Sequence, residues 1–277
     1  MPSQLDNKRF GPWALVTGAS SGIGKEFARQ IAAAGINVVL VARRKVLLEE
    51  TGRDLIKRFG IECRAVVADL SHVDFLDNVI QATSDLDIGL VISNAGTGNP
   101  GRFLSLDREE LQSLLRLNTM SHLDIAHYFG RKLAARQMGG LLFVGAVGSL
   151  IANPYMANDV AAKSYVLTLG ESLHDDFLKL GLNVTVLLPG AVDTSVLTKF
   201  GFDPATMPMK PMSVEQCVSE GLGALKANRA VCIPGRMNRI VFKLMPRSFL
   251  KRMIGKTFEK AVVQPSGVRP RTSFQNG

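Results

Sequence analysis

The sequence predicts a doubly wound α/β domain, one parallel sheet with helices on both faces in a three-layer α/β/α arrangement. Two observations predict it. Short β-branched runs alternate with longer amphipathic ones from residue 13 onward. Alternation of this kind builds right-handed βαβ units. A glycine-rich turn also follows the first short run directly, where such sheets hold nucleotides.

The strands are expected at 13–17, 37–41, 63–68, 88–93, 141–145 and 183–188, each brief and bounded by Gly, Asp or Asn. Helices are expected between them at 22–34, 45–59, 72–84, 107–137 and 156–180. Residues 190–212 change character: Gly190, Gly201, Pro204, Pro208 and Pro211 break any long helix, which suits a mobile substrate loop at the carboxyl ends of the strands. A helix near 213–227 and a last strand near 230–233 follow. The organisation expected is a catalytic domain over 10–235, a basic amphipathic extension over 236–263, and a disordered tail over 264–277 rich in Pro, Ser, Gly and Arg.

Composition narrows the function classes. With 277 residues and 46 % hydrophobic content the chain has ample material for a real core. Its net charge of +9 is unevenly placed: to Gly235 there are 23 basic and 23 acidic residues, and beyond it ten basic residues against Glu259 alone. A neutral body argues against a nucleic-acid binder. Cys63, Cys217 and Cys232 are an odd number without CxxC spacing, so neither a disulfide framework nor a metal site is expected. The first residues carry no apolar signal region and no run of about 18 apolar residues occurs, so a cytoplasmic protein is expected.

Directly after the first strand comes Thr17-Gly18-Ala19-Ser20-Ser21-Gly22-Ile23-Gly24. Gly18 permits a tight turn, Gly22 lets backbone approach a pyrophosphate, and Gly24 lets helix and strand pack closely. Free amides at the following helix N-terminus would hold the phosphates, with Ser20, Ser21 and Ile23 in the same cradle. At the end of the second strand, where an acidic residue would hold a ribose hydroxyl, the sequence reads Arg43-Arg44-Lys45. Cations there favour a 2′-phosphate, hence NADP(H) over NAD(H), with Arg43 the first choice for the contact and Arg44 beside it.

With these residues the sequence resembles the short-chain dehydrogenase/reductase family, a Rossmann-type fold, over about residues 10–235. The resemblance rests on residues 17–24, Asp69-Leu70, Asn94-Ala95-Gly96, Asn118, Lys163, and Pro189-Gly190-Ala191-Val192-Asp193-Thr194. It implies that Asp69, with Leu70, meets the adenine, that Asn94, Ala95 and Gly96 pack along the cofactor, and that Pro189, Gly190, Val192 and Thr194 support the nicotinamide. It also implies homodimers or homotetramers.

The resemblance implies a Ser/Tyr/Lys/Asn catalytic set in which tyrosine, four residues before the lysine, donates the proton. Here Asn118 and Lys163 remain, but the tyrosine position holds Asp159 and the serine position Ala146. An unperturbed Asp titrates at about 3.9 against about 10 for Tyr. Lys163, one helical turn on, is expected to pair with Asp159 and lower it further, leaving an anion that donates poorly. Only strong desolvation would reverse that.

Three readings follow. The first is NADP(H)-dependent reduction of an apolar carbonyl, or of a conjugated enone or enoyl group whose enolate needs a weaker acid, with Asp159 or a nearby hydroxyl as donor. Tyr155 would share the face of Asp159 if the helix began that early, and Ser149 could replace Ala146 if its loop were remodelled. The second is a redox-inactive NADP(H)-binding sensor or partner subunit. The third is a lyase or isomerase with Asp159 as base.

The remaining features have plainer readings. His72, His122, His127 and His174 lack metal spacing, and His122 and His127, in the long helix after Asn118, read as core or interface histidines. Met207, Met209, Met212, Phe200 and Phe202 in the substrate loop point to an apolar small-molecule substrate. In 236–260, Phe242, Met245, Phe249, Met253 and Phe258 recur near helical spacing with cations interleaved, and Pro246 is expected to split the segment into two helices. Such a segment could lie peripherally on an anionic membrane or pack on the pocket rim.

Overall fold

The computed structural model describes residues 5–202 and 210–263. Met207, Met209 and the tail over 264–277 lie outside them. In chain order the elements are α1 (Asn7–Phe10), β1 (Trp13–Thr17), α2 (Gly22–Ala33), β2 (Asn37–Ala42), α3 (Lys45–Phe59), β3 (Cys63–Val67), α4 (Phe75–Thr83) and β4 (Ile88–Ser93). Then come α5 (Arg108–Leu115), α6 (Ser121–Arg136), β5 (Gly139–Val144), α7 (Ala157–Leu178), β6 (Leu182–Leu187), α8 (Ser195–Lys199), α9 (Val214–Lys226), β7 (Val231–Cys232), α10 (Arg236–Leu244) and α11 (Arg247–Val263).

All pairings in the seven-stranded sheet are parallel, in the order β3-β2-β1-β4-β5-β6-β7. β1, β4, β5 and β6 are buried along their whole length; β1, β4 and β5 accordingly read as near-continuous apolar runs, while in β6 the buried Asn183 and Thr185 donate to Leu225 O and Arg229 O at 2.7 Å each. One core lies on the face carrying Phe27 and Ile31 of α2, Leu48 of α3 and Val218 and Leu222 of α9. The other holds Val79 of α4, Ile125 and Phe129 of α6 and Val166 of α7. The three-layer doubly wound arrangement is therefore the one the sequence predicts.

Two elements differ from expectation for identifiable reasons. β5 starts two residues before the expected 141, at Gly139-Gly140. Those glycines are close-approach positions rather than a boundary: a Cβ on Gly140 would lie 2.7 Å from the Phe10 ring, and one on Gly139 2.7 Å from the Gly89 carbonyl. The single long helix expected over 107–137 is broken by a π-helical turn over Arg116–Met120, between α5 and α6. Pro246 does separate two helices, α10 and α11.

The strand order reverses between β1 and β4, so the chain leaves their carboxyl ends in opposite directions and opens a crevice there. Thr17 ties the two ends together. Its hydroxyl accepts from the backbone N–H of Asn94 and of Ala95, both at 2.9 Å, and donates to Ile92 O at 3.4 Å. The Asn94 side chain returns a bond to Thr17 O at 2.9 Å. Thr17→Val keeps the shape and removes the acceptor for two amides, so it should cost about 2 kcal/mol or more in urea unfolding. A loss below about 0.5 kcal/mol would show that the tie is not needed.

Candidate active site

The glycine-rich turn lies over the tie. Gly18 has φ +66° and Gly22 φ +54°, both in the left-handed region, and a Cβ on Gly24 would strike the Gly18 carbonyl. Ser21 precedes α2 with extended backbone and no side-chain cap, so the first amides of this 12-residue helix face the crevice free to take an anion. Thr194 closes the far side, its Cγ2 3.5 Å from where a Gly22 Cβ would stand. Ser20 and Ser21 accept from Arg44 Nη2 at 2.8 and 2.6 Å, which folds Arg44 against the turn. Arg43 is 65 % exposed at its side chain and reaches Asp69 at 3.4 Å. Burial would raise the Asp69 carboxyl, but hydrogen bonds from Ser71 and the Arg43 guanidinium hold it below its usual range. Leu70 is buried beside it.

On the other side of the crevice, β4 runs into Asn94-Ala95-Gly96. Gly96 lets Lys163 come close: a Cβ there would be 2.9 Å from its Nζ and 3.2 Å from Asn118 Oδ1. Behind β6, Pro189 O accepts from Val147 N at 2.9 Å, and Val192, buried, pairs with Met212 across the loop. Gly190 packs against Asn238 of α10. The structure thus brings the segments named in the sequence to one crevice. A dinucleotide fits its donor set: free helix amides and cations at one end, carbonamide and ammonium groups at the other.

The acid-base cluster departs from the expected pairing. Asn118 sits in the π-helical turn, fully buried, where the extra residue turns its side chain into the core. Its Oδ1 accepts from Thr97 N at 3.0 Å, and its Nδ2 donates to Thr97 O at 2.7 Å and to Asp159 Oδ1 at 3.1 Å. Lys163 donates to Val144 O at 3.4 Å rather than forming an ion pair with Asp159. Burial raises the Asp159 carboxyl above its ordinary value, although Lys163 and the Asn118 bond pull it down. Burial lowers Lys163, against the pull of Asp159. The expectation of a carboxyl depressed by its lysine is therefore corrected. The two charges interact without touching, and desolvation outweighs them.

Phe200 supplies part of that enclosure. A Cβ on Gly98 would strike its ring and stand 3.2 Å from Asp159 Oδ2, so both side chains crowd the same glycine. His122 is fully buried beneath, bonded through Nδ1 to Ser93 Oγ at 2.7 Å; burial first and Lys163 second push it down to about 3, so it stays neutral.

Neither alternative hydroxyl reaches the cluster. α7 begins at Ala157, so Tyr155 lies outside it with φ +66° and does not share the face of Asp159. Its hydroxyl donates to Glu259 Oε1 at 3.4 Å. Ser149 donates to Ala146 O at 2.7 Å and only satisfies its own loop. Tyr155 lines two cavities beside the cluster. One, of 230 Å³, includes Arg102, Phe103, Leu106 and Asn158. The other, of 360 Å³, runs under α11 past Lys251, Arg252 and Lys256.

Two contributors were not singled out in the sequence: Thr17 as the tie and Gly98 as the gap shared by Phe200 and Asp159. The first could have been found, since a buried threonine ending a central strand needs partners for its hydroxyl.

Comparison with known proteins agrees with this geometry. A 7β-hydroxysteroid dehydrogenase from Clostridium sardiniense is 28 % identical over 255 residues, 91 % of this chain and 97 % of its own. A very-long-chain 3-oxoacyl-CoA reductase from Neurospora crassa is 32 % identical over 191 residues, 67 % of this chain and 58 % of the reductase. Among solved structures, a 7β-hydroxysteroid dehydrogenase superposes with TM-score 0.83 at 26 % identity, over 90 % of this chain and 98 % of that one. A short-chain dehydrogenase from Sphingobium yanoikuyae in complex with NADPH does so with TM-score 0.76 at 27 % identity, over 96 % and 100 %. The family model for short chain dehydrogenases matches residues 12–203, the stretch that holds every motif from Thr17 to Thr194. The chain belongs to the short-chain dehydrogenase family.

Proposed function

We propose that the chain is an NADP(H)-dependent oxidoreductase that reduces an apolar carbonyl or a conjugated enone or enoyl substrate, with Asp159 as proton donor. The observation that carries this reading is the Asp159 carboxyl: buried, raised above its ordinary value despite a nearby lysine, and held by Asn118. A carboxylic acid kept neutral by desolvation can donate a proton where an exposed one cannot.

Bound NADPH supplies a hydride. Arg43 and Arg44 hold the 2′-phosphate, the α2 amides and Ser20 to Gly24 hold the pyrophosphate, Asp69 and Leu70 meet the adenine, and Thr194 with Pro189, Gly190 and Val192 supports the nicotinamide. Asn94, Ala95 and Gly96 pack along its length. Asp159 gives its proton to the substrate oxygen as negative charge develops there, and the carboxylate left behind is met by the Asn118 amide and the Lys163 ammonium. Lys163 also holds the ribose. Tyr155 lines the substrate mouth rather than touching the reacting oxygen. Phe200 and the loop around it exclude water from the acid. The relatives named for hydroxysteroids and very-long-chain 3-oxoacyl groups support an apolar substrate. In this reading the protein works in the cytoplasm as a homodimer or homotetramer, with residues 236–260 against a membrane from which an apolar substrate can be drawn.

Asp159→Asn should lower kcat by about 10²- to 10⁴-fold while leaving NADPH affinity unchanged. Because the active form is protonated, kcat should fall as pH rises through the raised Asp159 value, below the range of about 10 at which a tyrosine donor would lose its proton. Tight NADPH binding with no turnover on ketosteroids, 3-oxoacyl esters or enones would instead mark a redox-inactive binder. Proton exchange into substrate without NADPH consumption would mark a lyase or isomerase.

Cofactor choice is tested separately. Arg43→Glu combined with Arg44→Ala should weaken NADPH binding by about tenfold or more in a titration and weaken NADH binding less, because NADH loses only the support that Arg44 gives the phosphate turn through Ser20 and Ser21. Equal losses for both cofactors would show that the two arginines do not read that phosphate.

A further inference from the structure

The excess charge of the chain is concentrated where the helices α10 and α11 leave apolar surface uncovered. No residue of α10 is buried. Met237, Ile240 and Leu244 are 60, 41 and 73 % exposed, and at 100° per residue they lie side by side on the solvent face, with Arg236 and Lys243 along one flank. The opposite face is the one that docks: Asn238 packs on Gly190 and donates to Pro234 O at 2.9 Å. The next helix repeats the arrangement. Phe249 and Met253 are 50 and 43 % exposed with Arg252 and Lys256 beside them, while Leu250 and Gly255 are buried and Gly255 rests on Pro154. Among the described residues, the ion pair from Arg239 to Glu220 at 2.6 Å is the only one this segment makes. Arg247 is also held, donating to Leu150 O. Arg236, Lys243, Lys251, Arg252 and Lys256 form no ion pair among the described residues and are exposed.

From this we infer that the outer faces of α10 and α11 dock on an anionic lipid surface. Met237, Ile240, Leu244, Phe249 and Met253 enter the boundary between headgroups and acyl chains, and Arg236, Lys243, Arg252 and Lys256 at the edges of these faces meet lipid phosphates. An amphipathic helix with its apolar face outward and cations at the edge of that face has the chemistry of an interfacial helix. A protein partner of opposite charge would meet the cations but leaves the apolar stripes to be matched residue by residue; a bilayer surface takes both at once. No described helix is long and apolar enough to cross a membrane, and the contact argued for α10 and α11 is with its surface. The inference develops the membrane contact proposed above and gives it residues and a lipid charge.

The test is co-sedimentation of the full chain, without substrate or cofactor, with vesicles of equimolar phosphatidylcholine and phosphatidylglycerol, set against phosphatidylcholine alone. Binding should be about tenfold or more tighter to the anionic vesicles and should weaken with added salt. The variant carrying Ile240→Glu and Leu244→Glu should lose about tenfold or more of that binding. Its thermal melting should stay that of the parent, because neither side chain is buried. Equal binding to both vesicle types, or no loss in the variant, overturns the inference. So does a variant that binds vesicles as the parent does but runs as a smaller oligomer on size exclusion, which would show that a second copy of the chain covers the face. Because no reaction is read, failure here leaves the reductase reading standing.

Discussion

The tie made by the Thr17 hydroxyl is the constraint on which the crevice depends. A hydroxyl has one proton to give and two lone pairs to accept with, and here all three are used, on Ile92 O and the amides of Asn94 and Ala95. Adjacent parallel strands whose chains depart to opposite sides would otherwise leave those amides unpaired in a buried place. Satisfying them from β1 fixes how far β4 extends before it turns, and so fixes where Gly96 stands. Because Gly96 has no Cβ, Lys163 and Asn118 can approach its backbone from the far side. The nucleotide end and the acid-base end are thus positioned by one residue between them.

Burial decides the chemistry of the cluster more than charge does. Considered as two groups one helical turn apart in water, Asp159 and Lys163 stabilise each other's ionised forms. Folded, they are held apart by separate partners, Asn118 for the carboxyl and Val144 O for the ammonium. The attraction between them weakens with distance while the cost of desolvation is borne by each. Burial consequently raises one and lowers the other. A carboxyl raised by burial beside a lysine lowered by it is a different arrangement from a solvated ion pair.

The fold was legible because its signals are local and redundant. β-branched runs buried on both faces, glycines needed at positive φ in the nucleotide turn, and the cations at Arg43 and Arg44 each depend on the nearest residues in sequence. What escaped depends on contacts across the chain. The π-helical turn that aims Asn118 has no local signature, since residues 108–136 otherwise carry an unbroken helical pattern. The surroundings of Asp159 include Phe200, 41 residues away in sequence, which crowds the same Gly98. The start of α7 at Ala157 rather than at Tyr155 was likewise unreadable, because Tyr155 takes a left-handed conformation that supports the loop through its carbonyl, which accepts from Gly101 N at 2.8 Å.

The C-terminal extension is joined to the site through the loop that precedes α7. Gly255 rests on Pro154, Glu259 accepts from Tyr155, Arg247 donates to Leu150 O, and Phe258 packs edge-on to Phe202 at 4.9 Å. Pro154 and Tyr155 lead directly into the first turn of α7, which carries Asp159, and Phe202 follows Phe200 by two residues. Whatever bears on the outer face of α11 therefore acts, through its inner face, on both segments that enclose the acid. Since burial is what raises the carboxyl, the extension packs on segments that set its surroundings. The basic appendage thus also borders the cavity beside Pro154 and Tyr155, which Lys251, Arg252 and Lys256 line from α11.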